Sequence, residues 1–202
     1  MSIEPQRKFT IAEYLAREER SETKHEFDRG EIFAMAGGSI PHGVIATNII
    51  VKLSQLLAGR GCRPYSSDHR ICIPDSELHT YPDGSVVCGT PEVDPTDRHA
   101  ITNPLAIVEV LSPSTEKYDR GKKFEFYRRI ESFREYLLVE QSEARIECYS
   151  RSDDGRWKIE VANGLEASIT IPALGCTLAL KDVYVDVRFP PLSSDEILPP
   201  QS

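Results

Sequence analysis

One glutamate interrupts a segment of the chain that is otherwise apolar. Residues 105–111 read Leu-Ala-Ile-Val-Glu-Val-Leu, and a run of this kind is typical of a central strand that is covered on both faces. An isolated buried carboxylate is strongly unfavourable, so Glu109 is expected to form an ion pair, accept hydrogen bonds or bind a metal ion. The alternative is that Glu109 lies at the emerging end of the strand and points to water. These residues alone favour neither interpretation.

Asp83 is a second candidate, at the start of another predicted strand. It follows Tyr81-Pro82, and an aspartate after a proline commonly bonds its own backbone in a turn. The surrounding segment, residues 75–97, holds six acidic residues and no lysine or arginine. Most of these acids are expected to be solvated loop charges, although carboxylate oxygens are also the ligands that Mg²⁺ prefers.

The third candidate is a lysine in a basic segment of an acidic chain. Residues 116–134 contain seven basic and four acidic residues, a local net charge of +3, whereas the whole chain has −8. Such a segment is usually a solvated helix face with ion pairs one turn apart. Lys123, however, shares its stripe with apolar residues three, four and seven positions later, so it faces the core and Lys122 lies nearer the flank. An inward lysine needs an acidic or anionic partner, unless its long stem carries the ammonium to water.

The histidine at position 42, the cysteines and the common catalytic motifs give no further candidate for a functional site. His42 follows Pro41 at a predicted helix start, where a histidine is more often a cap or a surface residue. The sequence has no nucleophile elbow, no phosphate-binding glycine-rich loop and no dinucleotide fingerprint. Its five cysteines are scattered without a Cys-x-x-Cys pair, so neither a zinc knuckle nor a disulfide framework is indicated. We therefore expect a reduced, cytoplasmic protein.

The elements that position these residues follow from local patterns. Thr10 and Glu13 form a capping box for a helix over residues 11–20. The turn at residues 28–30 joins two alternating segments into a hairpin, and a second helix over residues 42–58 ends with Gly59 as its C-cap. The other predicted elements are a helix over 119–131 and strands over 63–66, 70–73, 83–88, 105–111, 136–139, 144–150 and 157–162. Interspersed helices and strands indicate an α/β or α+β class with a mixed sheet.

Length and composition limit the protein to one domain. The chain has 202 residues, 40% of them hydrophobic, which suits a single domain over residues 1–189 and a proline-rich flexible tail over residues 190–202. The net charge of −8 disfavours a protein that coats nucleic acid by bulk electrostatics. Neither a membrane-spanning run nor a secretory signal is predicted.

The order and spacing of the candidate residues resemble a nuclease signature. Pro82-Asp83 followed by Glu109-Val110-Leu111 is similar to the PD-(D/E)XK signature, and the chain resembles the family of putative restriction endonuclease domains. The most specific match is the Glu-Val-Leu-Ser-Pro-Ser-Thr stretch that begins at Glu109, followed by Asp119-Arg120-Gly121. The other matches are Tyr14-Leu15, Glu26 with Gly30-Glu31, Ser85-Val86, Lys123 with Tyr127, and Glu135-Tyr136.

The resemblance implies a fold and a role for each site residue. It implies a restriction-endonuclease-like core, with a central mixed sheet flanked by helices. Asp83 and Glu109 are expected to hold Mg²⁺, with Mn²⁺ as a substitute, and Glu26 to complete or orient the acidic cluster. The general signature has a lysine two residues after the glutamate, where this chain has Leu111. In this family the lysine has moved to the following helix, which makes Lys123 the group that faces the phosphate.

The activity implied by the resemblance is Mg²⁺-dependent hydrolysis of phosphodiester bonds in DNA by an endonuclease. A homodimer would combine two basic helices in one footprint, and two-fold assemblies are the commonest oligomers. The alternative is a catalytically inactive module of the same fold that binds nucleic acid or a protein partner. The net charge of −8 and the leucine at position 111 motivate that alternative.

Overall fold

The computed structural model of the chain describes residues 7–73 and 77–189. Within them, two larger sheets and one small hairpin are flanked by helices, which confirms the predicted α/β class with mixed sheets. The predicted flexible tail, residues 190–202, lies outside the described part of the chain. Among the described residues, no helix combines the length and the apolar character that crossing a membrane requires.

The first sheet has five strands and contains the predicted hairpin. Its spatial order is β2 (Glu31–Ala34), β1 (His25–Asp28), β5 (Leu78–Thr80), β4 (Arg70–Ile73) and β7 (Ala100–Ile101). Strands β4 and β7 pair in parallel, and the other neighbours pair antiparallel. The sequence analysis missed β5 and β7, because strands of three and two residues are too short to show a period of two.

Helix α1 (Ile11–Glu18) packs on this sheet and begins as predicted. The Thr10 hydroxyl accepts a hydrogen bond from the backbone N–H of Glu13, and the Glu13 carboxylate accepts one from the backbone of Thr10. Tyr14 is buried and stacks on Phe27 with ring centroids 5.2 Å apart. The capping box therefore determines where the chain turns into the helix, and Tyr14 attaches the helix to β1.

The second sheet has six strands, and its centre carries Glu109. Its spatial order is β11 (Trp157–Asn163), β10 (Arg145–Arg151), β9 (Glu135–Glu140), β8 (Ala106–Leu111), β6 (Gly84–Cys88) and β3 (Cys62–Ser66). Strand β8 is parallel to β9 and antiparallel to β6, and all six of its residues are buried. Because side chains alternate along a strand, Val108 and Val110 enter one core while Ile107 and Leu111 enter the other. Glu109 therefore points to the same side as Ile107 and Leu111.

Helix α2 (Ile40–Leu56) covers the face of the second sheet that carries Val108 and Val110. Its buried stripe consists of Ile45, Ile49 and Leu53. The helix begins at Ile40, with Ser39 as its N-cap, and therefore places His42 in its first turn. It ends at Leu56, so the prediction that Gly59 is the C-cap was wrong; Gly59 lies in the following turn with φ of 74°.

The third predicted helix, over residues 119–131, is shorter and irregular. It consists of α3 (Glu116–Tyr118), a π-helical segment (Asp119–Lys123) and α4 (Phe124–Tyr127). The Tyr136 hydroxyl donates a hydrogen bond of 2.9 Å to the carbonyl of Asp119, a backbone group that an α-helix pairs internally. The prediction of one continuous α-helix was wrong because this tertiary contact and Gly121 interrupt the regular pattern.

The C-terminal part of the described chain closes one core with elements that the sequence analysis did not predict. These are β12 (Ser168–Ile171), a 3₁₀ turn (Pro172–Leu174), β13 (Cys176–Ala179) and α5 (Leu180–Val183). Strands β12 and β13 form a hairpin, and α5 packs on α2. Their apolar side chains join the core that α2 covers.

The expectation that the cysteines are unpaired is wrong for two of them. Cys62 and Cys88 form a disulfide between β3 and β6, where they lie directly opposite each other with Cα atoms 3.9 Å apart. The cysteines are 26 residues apart in sequence, and only the pairing of the two strands brings their side chains together. Cys72, Cys148 and Cys176 are buried and free.

Candidate functional site

Glu109 is buried and paired. It is 3% exposed, and its Oε1 accepts hydrogen bonds from Nζ of Lys123 at 3.0 Å and from the hydroxyl of Tyr127 at 2.9 Å. The interpretation that Glu109 points to water is therefore excluded. Both partners come from the irregular helix at residues 116–127, which packs on the side of β8 to which Glu109 points.

Lys123 stands among three carboxylates. Besides Glu109, its Nζ lies 3.4 Å from Oε1 of Glu26 and 3.3 Å from Oδ1 of Asp119. Burial alone lowers the pKa of Lys123, but the three carboxylates outweigh it and hold the pKa well above its ordinary value. The lysine is therefore a fixed cation at the centre of the cluster.

The inward direction of Lys123 confirms the prediction from its helical stripe. Lys123 is 6% exposed, whereas the side chain of Lys122 is 45% exposed and its Nζ binds Oδ2 of Asp28 at 2.7 Å. The π-helical segment begins at Asp119 and ends at Lys123, so both residues lie on its inner side and are buried. π-helical turns inside α-helices are frequent at functional sites.

Glu26 joins the cluster from the other sheet. It lies on β1, and its Oε1 accepts hydrogen bonds from the Thr80 hydroxyl and, at 3.3 Å, from the backbone N–H of Tyr81. These donors lie at the end of β5, which pairs with β1. The cluster therefore lies where the two sheets meet, and Glu26 and Glu109 both contact the same ammonium.

Asp83 lies beside Glu109 but points to different partners. In the antiparallel pairing of β6 and β8, Gly84 stands opposite Val108, so Asp83 is level with Glu109. Its Oδ2 accepts a hydrogen bond of 2.7 Å from the backbone N–H of Val110. Gly84 is buried, and a Cβ there would lie 2.8 Å from Cδ1 of Ile50. The glycine therefore provides space for α2.

The sequence analysis missed His42. Its Nε2 lies 3.3 Å from Oδ2 of Asp83. The hydrogen bond to Asp83 raises the pKa of His42. Gly38 permits this position, because a Cβ on it would lie 2.7 Å from Nδ1 of His42. The sequence signal for this contact is the Gly37-Gly38 pair before the helix.

Asp119 is the other residue to which no role had been given. It is 2% exposed, and among the described residues its Oδ1 accepts no hydrogen bond. Burial and the nearby charge of Asp83 raise the pKa of Asp119 even though Lys123 opposes them. The pKa of Glu109 is raised well above its ordinary value by burial and by the surrounding acids, again against Lys123.

The cluster carries more negative than positive charge. Three carboxylates surround the ammonium of Lys123, and Asp83 lies beside Glu109, so a divalent cation with hard oxygen ligands would supply the missing charge. Among the described residues, no three His, Cys, Asp or Glu side chains meet at a point where they could hold a metal ion by themselves. Mg²⁺ is commonly bound by one or two carboxylates plus waters, so the side chains of Asp83 and Glu109 are of the type that this cation takes, and their role as its ligands stays a prediction.

The surroundings of the cluster include a groove and exposed basic side chains. A groove of about 430 Å³ is lined by residues next to the cluster, among them Pro41 and Leu111. Of the basic residues in the helix at residues 116–127, Arg120 is bound to Glu116, Glu140 and Glu147 and is not free for a ligand. The exposed basic side chains there and in the turn that follows are Lys117, Lys122, Arg128 and Arg129.

Comparisons with known proteins identify relatives over most of the chain. The model of the Uma2 family, described as a putative restriction endonuclease, matches residues 11–181. Two uncharacterized Synechocystis proteins are each 39% identical to this chain: slr1290 over 90% of this chain and 94% of its own, and sll1609 over 79% and 90%. A crystal structure of a putative nuclease of DUF820 from Anabaena variabilis has a TM-score of 0.71 and 17% identity, and covers 89% of this chain and 99% of its own. That similarity concerns the fold.

Proposed function

This chain belongs to the Uma2 family of putative restriction endonucleases, and we propose that it is a divalent-cation-dependent endonuclease that hydrolyses phosphodiester bonds in DNA. The observation that carries the proposal is the buried contact between Lys123 and Glu109, surrounded by further acids. The ammonium of Lys123 provides a positive charge that can contact a phosphate. The neighbouring carboxylates provide ligands for a divalent metal cation. Hydrolysis of a phosphodiester needs both kinds of charge stabilisation.

Four residues of the cluster have a role in this proposal. Asp83 and Glu109 would hold Mg²⁺ or Mn²⁺, which would supply polarisation of the phosphodiester and of a water molecule. Lys123 positions the attacking water or stabilises the charge that develops on the phosphate. Glu26 orients the ammonium of Lys123, and its own carboxylate is held by hydrogen bonds from Thr80 and Tyr81.

The substrate is proposed to contact the protein over a narrow footprint. The net charge of −8 opposes broad electrostatic binding, but the helix at residues 116–127 and the turn that follows carry four exposed basic side chains, of which Lys122 is paired with Asp28. Phosphate contacts of this kind position nucleic acid without reading its sequence. A homodimer would double this basic surface, and sedimentation equilibrium would test that proposal.

Cleavage of plasmid DNA tests the proposed function. The purified full chain is expected to nick a supercoiled plasmid in millimolar Mg²⁺ or Mn²⁺ and to leave it intact in EDTA. Asp83→Asn is expected to reduce the rate by at least about 100-fold, because a ligand of the cation is lost. Asp153→Asn, in the exposed turn between β10 and β11, is the matched control and is expected to cut at the wild-type rate. Metal-dependent cutting that survives Asp83→Asn excludes this cluster as the catalytic site.

A second candidate function is a module of the same fold that binds nucleic acid or a protein partner without cutting. One observation favours it: Oε1 of Glu109 is already occupied by Lys123 and Tyr127. Isothermal titration calorimetry separates the two functions. Binding heat with Mn²⁺ in the wild type that is lost in Asp83→Asn supports the endonuclease, and its absence at millimolar Mn²⁺ supports the inactive module.

A further inference from the structure

Strand β11 (Trp157–Asn163) lies at one edge of the second sheet. Within the described part of the chain it pairs with β10 alone. It has seven residues and no proline, whereas β3, the strand at the other edge of the same sheet, contains Pro64. Proline has no N–H to donate, and natural edge strands often use it to prevent pairing with another chain. The outer side of β11 is therefore a long strand edge without this protection.

The ladder with β10 determines which backbone groups of β11 point outward. Just beyond the two ends of the paired strands, the N–H of Ser152 donates to the carbonyl of Arg156, and the N–H of Gly164 donates to the carbonyl of Ala144. Hydrogen-bonded and non-hydrogen-bonded pairs alternate along an antiparallel ladder, so the even-numbered residues of β11 bond to β10. The odd-numbered residues, among them Ile159, therefore point their N–H and C=O groups away from β10.

The side chains of β11 differ between its two faces. Ile159 and Val161 are 58% and 49% exposed, and they lie on the same face as Trp157 because side chains alternate along a strand. Lys158 and Glu160 are exposed on the other face. The edge therefore offers apolar contacts on one face and one charge of each sign on the other.

We propose that β11 pairs antiparallel with β11 of a second copy of this chain, in the register centred on Ile159. In this register odd-numbered residues lie opposite odd-numbered residues, so the outward N–H and C=O groups of the two strands meet. Lys158 of each copy then lies opposite Glu160 of the other, and opposite charges directly across two strands are stabilising. The registers centred on Lys158 or on Glu160 would place like charges opposite each other, which is destabilising.

This pairing joins two six-stranded sheets into one. Each copy covers the β11 edge of the other, so the assembly is closed and has two-fold symmetry. The two-fold axis of such a strand pair is perpendicular to the sheet, and the helices at residues 116–127 of both copies therefore lie on the same face of the joined sheet. The inference rests on the homodimer of the proposed function and not on its cleavage chemistry.

Charge reversal tests the interface and its register, with sedimentation equilibrium of the full chain in the absence of nucleic acid. The wild type is expected to dimerise. Lys158→Glu and Glu160→Lys are each expected to raise the dimer dissociation constant at least about tenfold, because each places like charges opposite each other at two symmetric positions. The double variant Lys158→Glu/Glu160→Lys restores both opposite-charge pairs and is expected to restore the wild-type value. Lys181→Glu, at an exposed position of α5, changes the net charge as Lys158→Glu does and is the matched control, expected to dimerise as the wild type.

Amide hydrogen exchange gives a second measurement that needs no substitution. The backbone amides of Trp157, Ile159 and Val161 are expected to exchange more slowly at chain concentrations at which the dimer forms than in dilute solution. The amides of Lys158 and Glu160 already bond to β10 in the single chain and are expected to change less.

The outcomes separate the inference from the proposed function. A dimer that neither single charge reversal weakens, or that leaves the exchange of the Ile159 and Val161 amides unchanged, uses another surface and overturns the inference. Weakening that the double variant does not reverse, or that Lys181→Glu reproduces, also overturns it. A chain that stays monomeric at millimolar concentration overturns both the inference and the homodimer, whereas the cleavage of plasmid DNA tests the endonuclease separately.

Discussion

At the scale of single residues, several buried charged side chains lie around Lys123. This ammonium is enclosed by Glu26, Glu109 and Asp119, and removal of one partner of a buried ion pair leaves an uncompensated charge. The structure therefore predicts that Lys123 and its neighbour Lys122 respond very differently to the same substitution, although they are adjacent in sequence and identical in type.

Lys123→Met is expected to lower the cleavage rate by about 100- to 1,000-fold, as expected for loss of one group that stabilises the transition state. It is also expected to strengthen Mn²⁺ binding, because one positive charge leaves the neighbourhood of the cation. Lys122→Met removes an ion pair between a half-exposed ammonium and the buried carboxylate of Asp28, which keeps Arg29 as a partner, and is expected to change the free energy of unfolding by no more than about 1 kcal/mol. Plasmid nicking, calorimetry and thermal unfolding of both variants check this. Equal loss of cutting in the two variants would contradict it.

At the scale of elements, a buried ion pair holds the first sheet together at its edge. Arg70 on β4 binds Asp97 through two hydrogen bonds of 2.6 Å, and Asp97 lies in the loop that leads to β7. Burial alone raises the pKa of Asp97, but the neighbouring His79, whose Nδ1 lies 3.4 Å away, and the hydrogen bonds from Arg70 outweigh it and hold the pKa below its ordinary value. The pair therefore links β4, β5 and the β7 loop through one carboxylate.

The sign of the resulting pH dependence follows from that lowered pKa. Asp97 contributes its full stabilisation above the unfolded-state pKa of about 3.9 and loses it as the pH falls toward the lower folded-state value. Asp97→Asn leaves Arg70 buried without its partner and is expected to cost about 3–5 kcal/mol. Urea unfolding between pH 3 and pH 6 is expected to show a weaker pH dependence in Asp97→Asn than in the wild type. An unchanged slope would show that Asp97 does not carry the acid sensitivity.

At the scale of the whole molecule, the disulfide joins two neighbouring strands of the second sheet. Cys62 and Cys88 close a segment that contains β4 and β5 of the first sheet and lie 26 residues apart. Closing a loop of this length is expected to stabilise the folded chain by about 2–4 kcal/mol. The free energy of unfolding is therefore expected to depend on the redox state of this cysteine pair.

Reduction is expected to lower the free energy of unfolding by that amount, measured by urea unfolding with and without dithiothreitol. The double variant Cys62→Ala/Cys88→Ala is the control and is expected to show no response to the reductant. Cys72, Cys148 and Cys176 are buried and unpaired, so they are not expected to contribute. A response of equal size in the double variant would assign the effect to another part of the chain.

The amino-acid sequence by itself determined the features that depend on near neighbours. The capping box at Thr10, the buried strand around Glu109 and the inward stripe of Lys123 were all predicted correctly, because each is encoded within two or three turns or one strand. The resemblance to the nuclease family added the order of Asp83 and Glu109.

Only the tertiary structure decided which distant groups meet. The contact between His42 and Asp83, the position of Glu26 against Lys123 and the Cys62–Cys88 pair depend on strand order and register, which no local pattern encodes. The π-helical segment likewise depends on the hydroxyl of Tyr136, which lies on a different element. Charge and hydrogen bonding act over a few ångströms in space, and the folded arrangement of the sheets determines which residues come that close.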